Sequence, residues 1–202
     1  MLSSKTLNGE TLMNNERKED YVINKANTVR FVLGKYGNSP LIVFGINPSI
    51  ASIEKNDNTI SIVEHIADIK QCDGYLMFNI YPLRATNIDD NFPHSYDPKI
   101  KEENLKYIQE RIYEGAEIVA AWGTHIQDRD FFIELLDEIN NIVKEKKAHW
   151  ICLSKTKYGH PHHPTRLASL KCFLHQTFLY TKTLVTITNI KNNPTTEDIY
   201  IF

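Results

Sequence analysis

Leu41-Ile42-Val43-Phe44-Gly45-Ile46-Asn47-Pro48-Ser49 is the stretch whose reading decides the fold. Four consecutive apolar residues closed by glycine and proline read as a strand buried on both faces that runs into a tight turn. Strands of that kind belong to parallel sheets, and ligands of open α/β sheets bind beyond their carboxyl ends. Asn47, held between a glycine and a proline, is rigidly aimed there and suited to orienting water or a planar ring. The same phrase also reads as a plain Asn-Pro turn that starts the next helix.

Working outward, the pattern alternates. Asn58 is a cap for a helix from Thr59 to about Gln71, with Ile62, Val63, Ile66 and Ile69 on one face. Tyr75 to Ile80 is a second strand, ended by Tyr81-Pro82. Ile100 to about Tyr113 is helical, Glu117 to Ala121 is a third strand stopped by Trp122-Gly123, and Ile126 to about Val143 is an amphipathic helix. His149 to Leu153 makes a fourth strand. Thr28 to Leu33 has the makings of a short strand and turn, a short helix is expected near Arg166 to Phe173, and Thr183 to Ile187 is strand-like. These elements predict a three-layer α/β/α sandwich around a central, mainly parallel four-stranded sheet. Residues 1–24 read as a polar extension, 25–180 as a single domain, and 181–202 as a C-terminal strand and tail.

Composition narrows the class. The 202 residues are 42% hydrophobic and 24% charged, ordinary for a soluble protein with a full core. No stretch suits a membrane span and the N-terminus lacks the apolar core of a secretory signal. Cys72, Cys152 and Cys172 show no CxxC spacing and read as reduced thiols of a cytoplasmic protein. The net charge of −2 gives no licence for general nucleic-acid binding. Its distribution says more: eight lysines and arginines and no acid lie between Glu145 and Glu197, so that segment carries +8 against −10 elsewhere. Such asymmetry suits a phosphate, a nucleotide or nucleic acid, and equally a lysine-rich solvated surface.

The strand ends gather the chemistry. Arg84 in Asn79-Ile80-Tyr81-Pro82-Leu83-Arg84-Ala85-Thr86 is placed to fork onto a phosphate or carboxylate, and Tyr81 or Trp122 to stack on a base. Each has a plain rival as an ion-pair partner or a core aromatic. The loop Gly159-His160-Pro161-His162-His163-Pro164 offers three imidazoles. Its prolines fan them apart and no spaced cysteine or carboxylate set completes a site, so no metal is expected. A Ser49-His163 hydrolase pair lacks the G-x-S-x-G elbow, and P-loop and Rossmann glycine patterns are missing, so no nucleotide cofactor is expected.

Together with Asn56-Asp57-Asn58-Thr59-Ile60 and Ala121-Trp122-Gly123, these motifs resemble a bacterial and phage family known as a domain of unknown function, over roughly residues 28 to 170. Their layout is also similar to the uracil-DNA glycosylase superfamily, particularly its mismatch-specific branch. That resemblance implies a uracil-DNA glycosylase-like fold, with Asn47 positioning the attacking water and His163 (or His160) stabilising the departing base. It also implies that Asn79 reads the base. Gly45, Ile46, Pro48, Ser49, Tyr81, Arg84, Thr86, Trp122 and Arg166 complete the expected binding set. Ser49 departs from the glycine of the mismatch-specific motif, the His-Pro loop lacks a Ser-Pro-Leu continuation, and Arg84-Ala85-Thr86 has no counterpart in the glycosylases. The expected activity is N-glycosidic bond hydrolysis on DNA or a modified nucleotide. The competing expectation is a non-catalytic protein that senses or sequesters a nucleotide. Either way the partner is nucleic acid or a phosphorylated, nucleotide-like small molecule.

Overall fold

The computed structural model describes residues 17–49, 51–89 and 91–166, together with the backbone of 178–179. The decisive stretch forms β3 (Leu41–Gly45), every residue of which is buried. Around it lie β1 (Lys18–Ile23), β2 (Arg30–Tyr36), β4 (Tyr75–Asn79), β5 (Glu117–Ala120) and β6 (His149–Cys152). Three helices connect them: α1 (Asn58–Ile69), α2 (Pro98–Arg111) and α3 (Phe131–Glu145).

The strands build one sheet in the order β1-β2-β4-β3-β5-β6, extended beyond β6 by the two-residue β7 (Phe178–Leu179). The four strands β4, β3, β5 and β6 are parallel. The expectation of a four-stranded sheet is corrected, however, because β1 and β2 add an antiparallel pair beside β4 and make the sheet mixed. β1 begins at Lys18, inside the expected polar extension. Its sequence Lys-Glu-Asp-Tyr-Val-Ile is half exposed at the sheet edge and lacks the apolar run that betrays an internal strand.

Alternation along the strands divides the core in two. Ile42, Phe44, Leu76, Phe78, Ile118 and Trp150 face α2 and α3, packing with Ile108, Phe132, Leu135 and Ile139. Leu41, Val43, Tyr75, Met77, Val119 and Ile151 face α1, meeting Ile60, Val63 and Ile66. Fully burying side chains of this size is worth about 1.5–3 kcal/mol apiece. Helices on both faces satisfy a parallel sheet's need for cover on each side.

Two helix boundaries differ from the sequence reading. Asp57, not Asn58, caps α1, its side chain accepting from the Ile60 amide. The helix expected from Ile126 starts at Phe131, preceded by a separate 3-10 turn over Gly123–Gln127. The helix expected near Arg166 to Phe173 is described only as the 3-10 turn Pro164–Arg166, and the strand-like Thr183 to Ile187 lies outside the described residues. Among the described residues no helix is long and apolar enough to cross a membrane.

The connections dictate where a ligand would meet the sheet. From β3 the chain crosses through α1 to β4, then returns through α2 over β3 to β5 and continues through α3 to β6. The direction of winding therefore reverses between β3 and β5. Their carboxyl ends flank the crevice of such a switch point.

Candidate functional site

Loops leave the carboxyl edge after each of the four parallel strands, and those after β3 and β4 run side by side. Ile80 and Tyr81 donate their amides to the carbonyls of Gly45 and Ile46, both at 3.0 Å, and Ala85 donates to that of Pro48 at 3.0 Å. Asn47 clamps the pair, its Nδ2 donating to the Ala85 carbonyl at 2.8 Å and to that of Pro48 at 3.3 Å. The amide is thus oriented, with its nitrogen committed to the protein. Gly45 is small for a reason visible nearby: a Cβ there would lie 2.9 Å from Met77 Cε and 3.0 Å from Asn79 Oδ1. Asn79 itself is 1% exposed, and among the described residues neither end of its amide is hydrogen-bonded. Buried Asn104 of α2 supports this strand end by donating to the carbonyls of Asn79 and Ile80, at 3.1 and 3.4 Å.

The first loop continues into a polar network. The Ser49 hydroxyl bonds the Asp57 carboxylate, whose other oxygen accepts the Ile60 amide at 2.9 Å. Arg84 donates to the carbonyls of Ser49 and Ala51 and, at 2.7 Å, to the Tyr21 hydroxyl. Arg30, 2% exposed, donates to the same Ala51 carbonyl at 3.0 Å. Burial, then the neighbouring Arg84 charge, pulls the Arg30 pKa down to about 10, while Asp57 opposes the drop. Neither Asp57 nor Arg30 was among the site residues expected from sequence. Asp57 lay in plain view between two asparagines ahead of the helix. Arg30 carried a signal too, as a lone charge inside the apolar run Val29 to Leu33.

The loop after β6 packs back against α1 and the end of β5. The 3-10 turn at Pro164–Arg166 lies on α1, and a Cβ on Gly123, at φ +68°, would sit 3.7 Å from His163 Cβ. His163 is partly buried, and its Nδ1 is engaged by the Thr165 hydroxyl at 2.9 Å and by the Thr165 amide at 3.4 Å. The amide makes Nδ1 the acceptor, which assigns the proton to Nε2. Burial first, then the His125 and Arg166 charges, hold the imidazole below its ordinary pKa, and the nearby Asp57 carboxylate pulls the other way. His163 is therefore neutral at pH 7 with a donor to offer.

The structure does not bring every expected residue to this edge. Tyr81, Trp122 and His160 are 2%, 1% and 1% exposed. Tyr81 packs edge-on against Phe92 and Phe131, and Trp122 edge-on against Trp150, so both rings serve the core rather than a stacking surface. His160 is fixed through its backbone to Thr156, and His162 pairs with Ser154 at 2.5 Å. No cluster of three or more potential metal ligands occurs among the described residues. Gly45, Ile46 and Pro48 form buried floor, while Thr86 and Arg166 are exposed. Thr86 and Arg84 line a cleft of about 310 Å³ with Asn87, Asp89, Asn91 and Phe92. Arg129 braces its far wall by donating to the carbonyls of Asp89, Phe92 and Pro93. What converges, then, is Asn47, Ser49, Asp57, Arg84 and His163, drawn from four segments of the chain.

Comparison with known proteins gives one match. The family model described as "Protein of unknown function (DUF1643)" matches residues 30–165, which span all of the converging residues. No curated protein and no solved structure matches.

Proposed function

The chain belongs to the DUF1643 family, and from that premise we propose that it hydrolyses the N-glycosidic bond of a modified nucleotide or of DNA. The observation that carries this reading is that loops from the same sheet edge bring a carboxylate and an imidazole to one helix: Asp57 leads from β3 into α1, and His163 precedes the 3-10 turn after β6 that packs on α1. Asp57 is a carboxylate fixed by Ser49 and the Ile60 amide, and His163 an imidazole whose Nδ1 is fixed by Thr165. The motif likeness to the uracil-DNA glycosylase superfamily supports the same chemistry, with Asp57 supplying the charge that Asn47 lacks.

Asn47, its nitrogen tied to Ala85, presents its carbonyl oxygen to a water. The water oxygen bonds to the sugar carbon while its proton passes to the Asp57 carboxylate. The carbon–nitrogen bond breaks and its electron pair leaves with the base. Nε2–H of His163 donates to the negative charge growing there, a role worth about 10²–10³ in rate when such a donor is removed. Asn79 at the end of β4, its amide without a hydrogen bond among the described residues, is the group suited to the base edge.

Base release is the test, measured over damaged and hypermodified bases in DNA and as free nucleotides. Release that falls about 10²-fold or more in Asp57→Asn and His163→Gln supports the reading. No release from any substrate retires it. A second reading, nucleotide binding without cleavage, is favoured by the burial of Tyr81 and Trp122, which leaves neither ring to grip a flipped base. It is recognised by ligand-induced stabilisation with the ligand recovered unchanged.

A further inference from the structure

Two cations stand together on the α1 face of the sheet beside this site. The isolated antiparallel bridge Val29↔Leu83 turns Val29 and Leu83 into the core shared with α2 and α3. Arg30 and Arg84 therefore project from the opposite face as diagonal neighbours. Their hydrogen-bond acceptors are uncharged: the Ala51 carbonyl, which they share, the Ser49 carbonyl and the Tyr21 hydroxyl. The Nε of each is buried and, among the described residues, without a hydrogen bond. Buried charges are ordinarily paired, since an unpaired one is costly. Here the acid that bears on Arg30 is Asp57, which already serves the Ile60 amide and Ser49. Tyr21 and Tyr75, the other titratable neighbours of Arg30, are phenols.

We propose that Arg30 and Arg84 form an anion subsite that takes a phosphate group of the ligand. Arg84 is the contact residue, because it is partly exposed where Arg30 is buried, and its segment borders the cleft of about 310 Å³ to which Thr86 and Asn87 add polar groups. Arg30 stands behind it and adds a second positive charge to the field at the cleft. Asp89 is the opposing charge on the cleft wall, and its Oδ1 already accepts the Asn91 amide at 2.9 Å. Arg84 Nη1 is committed to the Ser49 and Ala51 carbonyls, so Nη2, bonded once to Tyr21, has a proton to offer the phosphate, in a planar arrangement that a lysine cannot reproduce. The inference rests on the proposed nucleotide reading for its ligand class, but its geometry is independent of any hydrolysis.

Thermal unfolding of the full chain in inorganic phosphate, at constant ionic strength, tests it, with acetate as the carboxylate arm. The subsite predicts saturable stabilisation by phosphate, weakened about tenfold or more in Arg84→Gln and in Arg84→Lys. It predicts partial weakening in Arg30→Met. Arg30→Met leaves no orphaned acceptor, because Ala51 keeps its bond from Arg84, so the variant folds and the test stays informative. Competition by a nucleoside monophosphate or by single-stranded DNA distinguishes a terminal phosphate from a phosphodiester. Absence of a saturable phosphate effect, or an effect indifferent to both arginines, overturns the subsite. A phosphate effect without base release leaves the subsite standing and retires the hydrolase alone.

Discussion

Asn47 and His163 are single residues whose meaning depends on what holds them. Asn47 was legible as the key of the first loop, because glycine and proline around an amide at a strand end imply a fixed direction. Its bond to the Ala85 carbonyl was not legible, since the two residues are distant in sequence. His163 was chosen from three histidines on its Pro164 neighbour, and the Thr165 amide gives it an Nε2 proton. Because folding lowers its pKa, the unfolded chain takes up the proton first as the pH falls below about 6.5. His163 thus contributes stability that is full above that pH and is lost toward its folded pKa. Wild-type Tm is expected to fall more between about pH 7 and about pH 5 than that of His163→Gln, measured by calorimetry. Gly45 is a simpler case. Gly45→Ala pushes a methyl against Asn79 Oδ1 and Met77 Cε and is expected to cost about 1–3 kcal/mol in chemical denaturation.

The elements divide by how their burial is distributed. β3 declares itself because both of its faces are covered, so its residues are uniformly apolar. β1 does not, because an edge strand with one covered face can be written largely in charged residues. Helix α1 was legible by periodicity, yet its cap shifts from Asn58 to Asp57, where the carboxylate meets both the Ile60 amide and Ser49. That double duty separates stability from chemistry. Asp57→Ala is expected to lose about 1 kcal/mol with the cap, whereas Asp57→Asn, an equally good cap, stays within about 0.5 kcal/mol of wild type. If Asp57 takes the proton from water, both variants lose base release alike. Parallel measurement of unfolding free energy and turnover separates the two roles.

At the scale of the molecule, β2 ties the antiparallel margin into the sheet through β4 and the core, and the edge strand β1 is pinned to α2 and β2 by a few polar contacts. Arg111 at the end of α2 grips Asp20 of β1 through Nε at 2.7 Å and a terminal nitrogen at 3.1 Å, and Tyr36 of β2 donates to the same carboxylate at 3.1 Å. Arg111→Met is expected to cost only about 1 kcal/mol globally. Its signature is faster amide exchange across β1 with β3 and β5 unchanged, read by hydrogen exchange. The alternating α/β class, the buried strands and the residues at their carboxyl ends were determined by the sequence alone, because hydrophobic periodicity and turn chemistry are local properties. Tertiary structure alone decided that Tyr81 and Trp122 are core, that β1 and β2 join the sheet, and that Arg30, Arg84, Asp57 and His163 share one edge. Each of these depends on which surfaces meet across long stretches of chain. A residue's own neighbours in sequence do not specify that contact.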